Sequence, residues 1–288
     1  MSPDRGWQGA KPPSLASGAG RARRANDNAR VQTRHNIPEP ANDAAQVAAP
    51  DVAPVAAPDA ATGPATIAVI DFETTGMSPA MGARATEIAV VLLREGRIVG
   101  RYASLMRSGA WVPPFIEQLT GISNRMLASA PPADQVMREV SDFTRGCAMV
   151  AHNAGFDRGF WQHERALAGC DGAGGDGAVK DGPGSECGVA GAAAEQPFGC
   201  TLLLSRRLWP EVPNHQLGTL ARWHGIAPTG RAHRALADAE MAAELWLRIV
   251  DDVQRRYAAT VPFGLLCALQ RTPKQQLARC VTRYFAVA

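Results

Sequence analysis

The sequence predicts an α/β domain, and three observations carry that expectation. Short apolar runs at 66–70, 87–93, 97–106 and 147–151 have the length and β-branched character of buried strands. Apolar residues recur at helical spacing over 155–168 and 235–250. The two kinds of segment follow one another as βββ-α-β-α, the pattern of a sheet covered by helices.

Each element has its own reason. Residues 1–63 are rich in Ala, Pro, Asn and Asp without periodicity, as expected of a disordered tail that does not offset its ordering entropy. Arg21, Arg23, Arg24, Arg30 and Arg34 make its first part basic, which suits a solvated tail, a weak nucleic-acid tether or an organelle presequence. The folded domain is expected over 64–250. It opens with Thr66-Ile-Ala-Val-Ile70, a strand running into Asp71-Phe-Glu-Thr-Thr-Gly76, and continues with two strands joined across Glu95-Gly96, a hairpin-type connection. Pro113-Pro114 starts a helix that ends at Gly121, and Pro131-Pro132 precedes another through Val136, Val140 and Phe143.

The strand at 147–151 then leads into a helix over 155–168, whose apolar face is Phe156, Phe160, Trp161 and Leu167. Residues 169–196 are Gly, Ala, Asp and Ser with almost no large apolar side chain, the composition of a flexible insertion. Helices are expected at 201–208, 215–224 and 235–250, the last with Leu236, Met241, Leu245 and Ile249 on one side. Residues 251–288 carry Arg255, Arg256, Arg271, Lys274, Arg279 and Arg283 against Asp251 and Asp252. They are expected to form one or two short helices outside the main domain.

Composition bounds the function without naming it. A formal net charge of +3 over 288 residues does not announce nucleic-acid binding as a strongly basic domain would. The six cysteines are too widely spaced for a zinc ribbon or a compact disulfide framework, which favours a reducing cytoplasm. No run of about eighteen apolar residues is present, so no membrane partner is expected.

The chemistry is carried by carboxylates. Asp71 and Glu73 stand two apart on one strand, so they project from the same face while Phe72 points into the opposite layer. Two acids on one face repel unless a cation lies between them, and hard Mg²⁺ or Mn²⁺ takes carboxylate and phosphate oxygens together. Asp157 falls in the first turn of the 155–168 helix and Asp238 early in the last helix, where the helix dipole alone also favours an acid. His233 precedes that last helix, and histidine is the side chain suited to exchange protons near neutral pH.

Taken together, Asp71-Phe-Glu-Thr-Thr-Gly76, His152-Asn-Ala-Gly-Phe-Asp157 and His233-Arg-Ala-Leu-Ala-Asp238 resemble the three motifs of the DnaQ-like, DEDD-type 3′→5′ exonucleases. The branch resembled is the one whose third motif is H-x(4)-D, typified by the proofreading epsilon subunit of bacterial DNA polymerase III. Leu119-Thr-Gly-Ile122 looks like that family's turn beside the terminal nucleotide, and the likeness spans about 66–250. It implies a ribonuclease-H-like α/β fold, a mixed five-stranded sheet with helices on both faces. It also implies two Mg²⁺ or Mn²⁺ ions about 4 Å apart, which stabilise the attacking and leaving oxygens at phosphorus. In this likeness Asp71 bridges the ions, Glu73 and Asp238 complete one site, Asp157 supports the other and His233 is the general base.

Further expectations concern the substrate, a single-stranded or frayed 3′ end with DNA favoured. Thr74, Thr75 and Gly76 form a turn able to approach the terminal nucleotide, or one serving ordinary turn chemistry. By resemblance Phe115, Thr120 and Phe156 line the same pocket, although Phe156 serves equally as core. His152 is expected to orient backbone or approach substrate, and His215 to begin a helix. An RNA-trimming exonuclease and a non-catalytic polymerase-associated module stay open, and a DNA polymerase subunit is a candidate partner for 251–288.

Overall fold

The computed structural model describes residues 66–170, 198–257 and 260–287, which lie within one compact unit. The tail at 1–63 and all but the first two residues of the 169–196 insertion lie outside the described residues. Strand β1 (Ile67–Thr74) pairs antiparallel with β2 (Ala85–Arg94), and β2 with β3 (Arg97–Leu105). On the other side of β1, β4 (Ala148–Ala151) and β5 (Phe198–Cys200) join in parallel, giving the mixed order β3-β2-β1-β4-β5. Glu95 and Gly96 adopt φ of 51° and 73°, the left-handed pair that a tight hairpin needs to match strand twist.

Alternation along β1 divides the interior into two layers. Ala68, Ile70 and Phe72 enter one core with Ile88, Val90 and Leu92, while Val69 faces the other with Ala89 and Val91. The first layer is closed by α3 (Ala133–Phe143) and α4 (Ala154–Leu167), through Val136, Val140, Phe160 and Trp161. The second is closed by α5 (Thr201–Leu208), α6 (Leu217–Trp223) and α7 (Ala235–Tyr257), whose Leu245, Trp246 and Ile249 are almost fully buried. Each such side chain contributes about 1.5–3 kcal/mol by leaving water. Two short helices, α1 (Pro114–Thr120) and α2 (Asn124–Ala128), form a satellite packed on Val112, Ile122 and Leu127.

The sheet has the five strands expected, one of them in a place the sequence did not mark, and one boundary changes. The fifth strand follows the Gly-rich stretch and is only three residues long. Its Gly199 is required because a Cβ there would lie 2.8 Å from the Trp246 ring of α7. The C-terminal boundary also moves: α7 runs through 250 to Tyr257, and the residues beyond it are not outside the domain. Helices α8 (Phe263–Leu269) and α9 (Leu277–Val287) place Leu265, Leu266, Leu269, Leu277 and Val281 in the same core as Leu245 and Ile249. Gln270, 5% exposed, donates from Nε2 to the Phe198 carbonyl and accepts the Cys200 N–H at Oε1, at 2.9 and 2.7 Å, along the open side of β5. The count of basic residues over 251–288 hid an apolar face at helical spacing.

The chain winds outward from β1 to β3 and then returns to β4 beside β1. Such a reversal leaves a crevice at the carboxyl ends of the central strands, where ligands of open α/β sheets bind. Asp71 and Glu73 lie at that end of β1.

Candidate active site

Asp71 and Glu73 follow Val69 on the face covered by α7, and Phe72 is buried in the opposite layer, as their spacing requires. Helix α4 begins beside the same strand end. Asp157 in its first turn is 2% exposed, and its Oδ1 accepts the Phe72 N–H at 3.2 Å. Asn153, ahead of that helix, takes φ 64°, a backbone turn that swings α4 back across the sheet. Asp238 lies in the first turn of α7, where its Oδ2 accepts the His233 backbone N–H at 3.1 Å.

His233 has φ 60°, uncommon for a side-chain-bearing residue, and is exposed. Glu73, His233 and Asp238 each offer a ligand atom within 4.8 Å of the other two. Segments separated by about 160 residues therefore meet at one point, which brings together residues of the first and third motifs.

The electrostatics show what these acids lack. Loss of bulk water first, then the charges of Asp157, Glu73, Asp238 and Glu87, holds the Asp71 carboxyl well above the ordinary carboxylate range. Desolvation, aided by Asp238 and Glu87, pushes Glu73 up to about 8, while Arg234 pulls it down. Burial also takes Asp157 to about 8 against the opposing hydrogen bond from Phe72. Asp238 is raised, again chiefly by desolvation, with the His233 N–H acting the other way. A divalent cation fits this donor set: hard carboxylate oxygens converge, and their ionisation is opposed by one another until positive charge joins them.

Two ionic clamps hold the site, and neither was foreseen. Glu87 of β2, directly opposite Glu73 and 4% exposed, accepts the Arg234 guanidinium at 2.7–3.2 Å and the Ala235 N–H at 3.0 Å. Glu164 of α4, 1% exposed, accepts Arg84 through Nε and Nη2 at 2.9 Å each and the Ala85 N–H at 2.9 Å. A signal was present: Glu87 interrupts an otherwise apolar strand, and Glu164 falls on the helical face of Asp157, Phe160 and Trp161. A buried acid in either place requires a partner.

The expected substrate residues are placed unequally. Thr74 is buried and donates to the Gly76 carbonyl at 2.7 Å, while Thr75 Oγ1 accepts the Arg84 N–H at 3.0 Å, so both hydroxyls build the turn. Gly76 packs close to Ala83, whose Cβ would be 3.3 Å from a side chain there. Thr120 corrects the expectation: it is 1% exposed and its hydroxyl donates to Ile116 and accepts from Ile122, so it shapes the turn. Phe115 is 66% exposed on α1 and free to meet a ligand. Phe156 is half-buried with its ring 5.0 Å from Phe160, which favours the core reading.

His152 turns towards α5, its Nδ1 2.8 Å from Thr201 Oγ1, and desolvation lowers its pKa to about 4. It therefore ties β4 to α5 as a neutral ring, which supports the expectation that it orients backbone. His215 precedes α6 and sits 3.2 Å from the Trp209 carbonyl through Nε2.

Comparison with known proteins accords with this geometry. Residues 68–246 match the exonuclease family RNase_T. The 3′-5′ exonuclease DinG of Bacillus subtilis is 32% identical over 203 residues, 70% of this chain and 19% of its own length. A PolC-type DNA polymerase III of Halalkalibacterium halodurans is 34% identical over 188 residues, 65% of this chain and 12% of its own length. The chain thus spans less than a fifth of these relatives. Among solved structures, the nuclease domain of 3′hExo, a DEDDh family member bound to rAMP, shares the fold. Its TM-score is 0.50 at 21% identity, over 66% of this chain and 93% of that one. Among the described residues no helix is long and apolar enough to cross a membrane. The chain belongs to the exonuclease family, in its DnaQ-like 3′-5′ branch, whose members are generally dependent on divalent metal.

Proposed function

We propose that this exonuclease-family chain hydrolyses the terminal phosphodiester at the 3′ end of a DNA strand, releasing nucleoside 5′-monophosphates in proofreading or repair. The observation that carries the reading is the meeting of Glu73, His233 and Asp238 within 4.8 Å at the carboxyl end of the central strand. The DNA preference draws support from the PolC-type relatives, which are named as DNA polymerases. They also make a polymerase a candidate partner.

Asp71, Glu73, Asp157 and Asp238 would hold two Mg²⁺ or Mn²⁺ ions. When bound, these supply neutralising charge at the carboxylates and at the oxygens of the reacting phosphate. The protein's own part is positional. Asp238 serves twice, as a ligand and as the acceptor that fixes the His233 backbone. The exposed imidazole takes a proton from the water that attacks phosphorus, and the bond to the 3′ oxygen of the preceding nucleotide breaks, that oxygen leaving as a hydroxyl on taking a proton from solvent. Asp157, tied to Phe72, keeps α4 against β1 so that the carboxylate spacing is preset rather than assembled on binding. Phe115 offers an open ring for stacking a terminal base, a contact worth about 1–3 kcal/mol.

The test uses 5′-labelled single strands of matched DNA and RNA sequence, with Mg²⁺ or Mn²⁺. Stepwise shortening of DNA, abolished by EDTA and by Asp71→Ala or Asp238→Ala, is the expected result. Full activity in either variant overturns the assignment, and faster loss of the RNA strand reassigns the substrate.

A further inference from the structure

We propose that Glu87 and Arg234 form a positioning pair for His233, holding the turn that presents its imidazole and thereby setting turnover rather than substrate affinity. The proposal rests on the reading of His233 as the base.

The argument begins with backbone. The segment 227–233 is exposed along its whole length, and His233 itself sits at φ 60°, so burial does not define the direction of its side chain. What defines it is a hold on either side. On one side the His233 N–H is bound by Asp238 at 3.1 Å. On the other, a single carboxylate takes both following residues: Glu87 accepts Arg234 Nε at 3.1 and 3.2 Å, Arg234 Nη2 at 2.7 Å and the Ala235 N–H at 3.0 Å. Glu87 is 4% exposed and belongs to β2, which is paired on both sides, so the loop is referenced to the interior of the sheet.

The register adds a second reason. Glu73 and Glu87 are cross-strand partners, so the strand that carries Glu73 and the strand that anchors the histidine turn are locked side by side. A planar guanidinium suits this task because its fork fixes orientation as well as distance, which an ammonium does not.

The experiment compares Arg234→Lys, Glu87→Gln and Glu87→Ala with wild type, and uses Arg101→Ala, which removes a surface ion pair with Glu240, as the control. Steady-state degradation of a labelled DNA strand gives kcat and KM, and thermal unfolding identifies folded variants. The His233 imidazole proton signal is followed by NMR in metal-free, substrate-free protein, assigned by its loss in His233→Ala.

We expect kcat to fall about tenfold in Arg234→Lys and Glu87→Gln and about a hundredfold in Glu87→Ala, because a displacement near 1 Å costs that much. KM should stay within about threefold and the His233 signal should move, with Arg101→Ala unchanged in all three. Should Glu87→Ala not fold, the two conservative variants decide. Folded variants with kcat within about twofold of wild type and an unmoved His233 signal overturn the proposal, as does a loss confined to KM. A wild-type protein that cuts no strand instead refutes the functional reading, and the histidine signal then decides the positioning claim by itself.

Discussion

Glu87 and Glu164 make the same bonds in different places. Each is a nearly inaccessible carboxylate that takes an arginine fork together with the amide of the next residue. Glu87 belongs to the sheet and grips the start of a helix. Glu164 belongs to a helix and grips the start of a strand. The first lies on the α7 side and ends one residue from His233. The second lies on the α4 side and secures Arg84, whose backbone exchanges bonds with Thr75 in the turn after the acids. One bonding pattern thus serves chemistry on one face of the sheet and architecture on the other, because what a clamp does depends on what its second residue adjoins.

The most severe way to test the contrast is to empty the architectural clamp. Glu164→Ala leaves the Ala85 amide and a mostly shielded arginine without their acceptor, and a loss of about 2–4 kcal/mol in chemical denaturation is expected. If Glu87→Ala destabilises as much and Glu164→Ala slows turnover as much, the two clamps are equivalent and the contrast fails.

The contrast sharpens when the acids themselves are neutralised. Glu73 and Asp157 have folded-state values near 8, above the unfolded carboxylate range, so the metal-free folded state binds more protons than the unfolded one. Their contribution is complete below about pH 4 and is lost as pH rises towards 8. The melting temperature of EDTA-treated protein should therefore fall over that interval and recover on adding Mn²⁺. Glu73→Gln should melt about 3 °C or more above wild type at pH 8 without metal. A metal-free protein whose melting temperature rises over the same interval contradicts this account.

A smaller effect is expected on the substrate side. Arg84→Lys keeps a charge against Glu164 but gives up one arm of the fork, so the Thr74-Thr75-Gly76 turn should loosen. KM for a DNA strand is expected to rise about threefold, with kcat changed less than in Arg234→Lys. The smallest concerns strain: His233→Gly should abolish turnover yet gain about 0.5–1 kcal/mol in stability, since glycine adopts φ 60° without penalty. A loss of stability there would mean that the imidazole also holds the fold.

Much of this was legible in the chain because it depends on local pattern. The period of two in β1 fixes which face Asp71 and Glu73 share, and the run from Thr201 to Leu208 reads as a helix to the residue. The illegible parts are those in which a residue's meaning comes from a distant partner. Phe198–Cys200 is a strand only because β4 lies beside it, and Gly199 is informative only once Trp246 is known to cross it. Glu87 reads as an anomaly in an apolar strand until Arg234, 147 positions away, is brought to it. The hydroxyls of Thr74 and Thr120 look available in sequence, yet each donates to a nearby backbone carbonyl.

The side-chain amide of Gln270 has a consequence for how copies of this protein meet. An unpaired strand edge is a template on which another chain adds itself, and β5 ends the sheet on the side away from β3. By bonding Phe198 and Cys200 as a neighbouring peptide would, Gln270 stands in for one residue of an adjoining strand and covers that stretch of the template. The apolar helices after residue 257 therefore do more than enlarge the core: they carry the stopper that ends sheet growth from within the molecule.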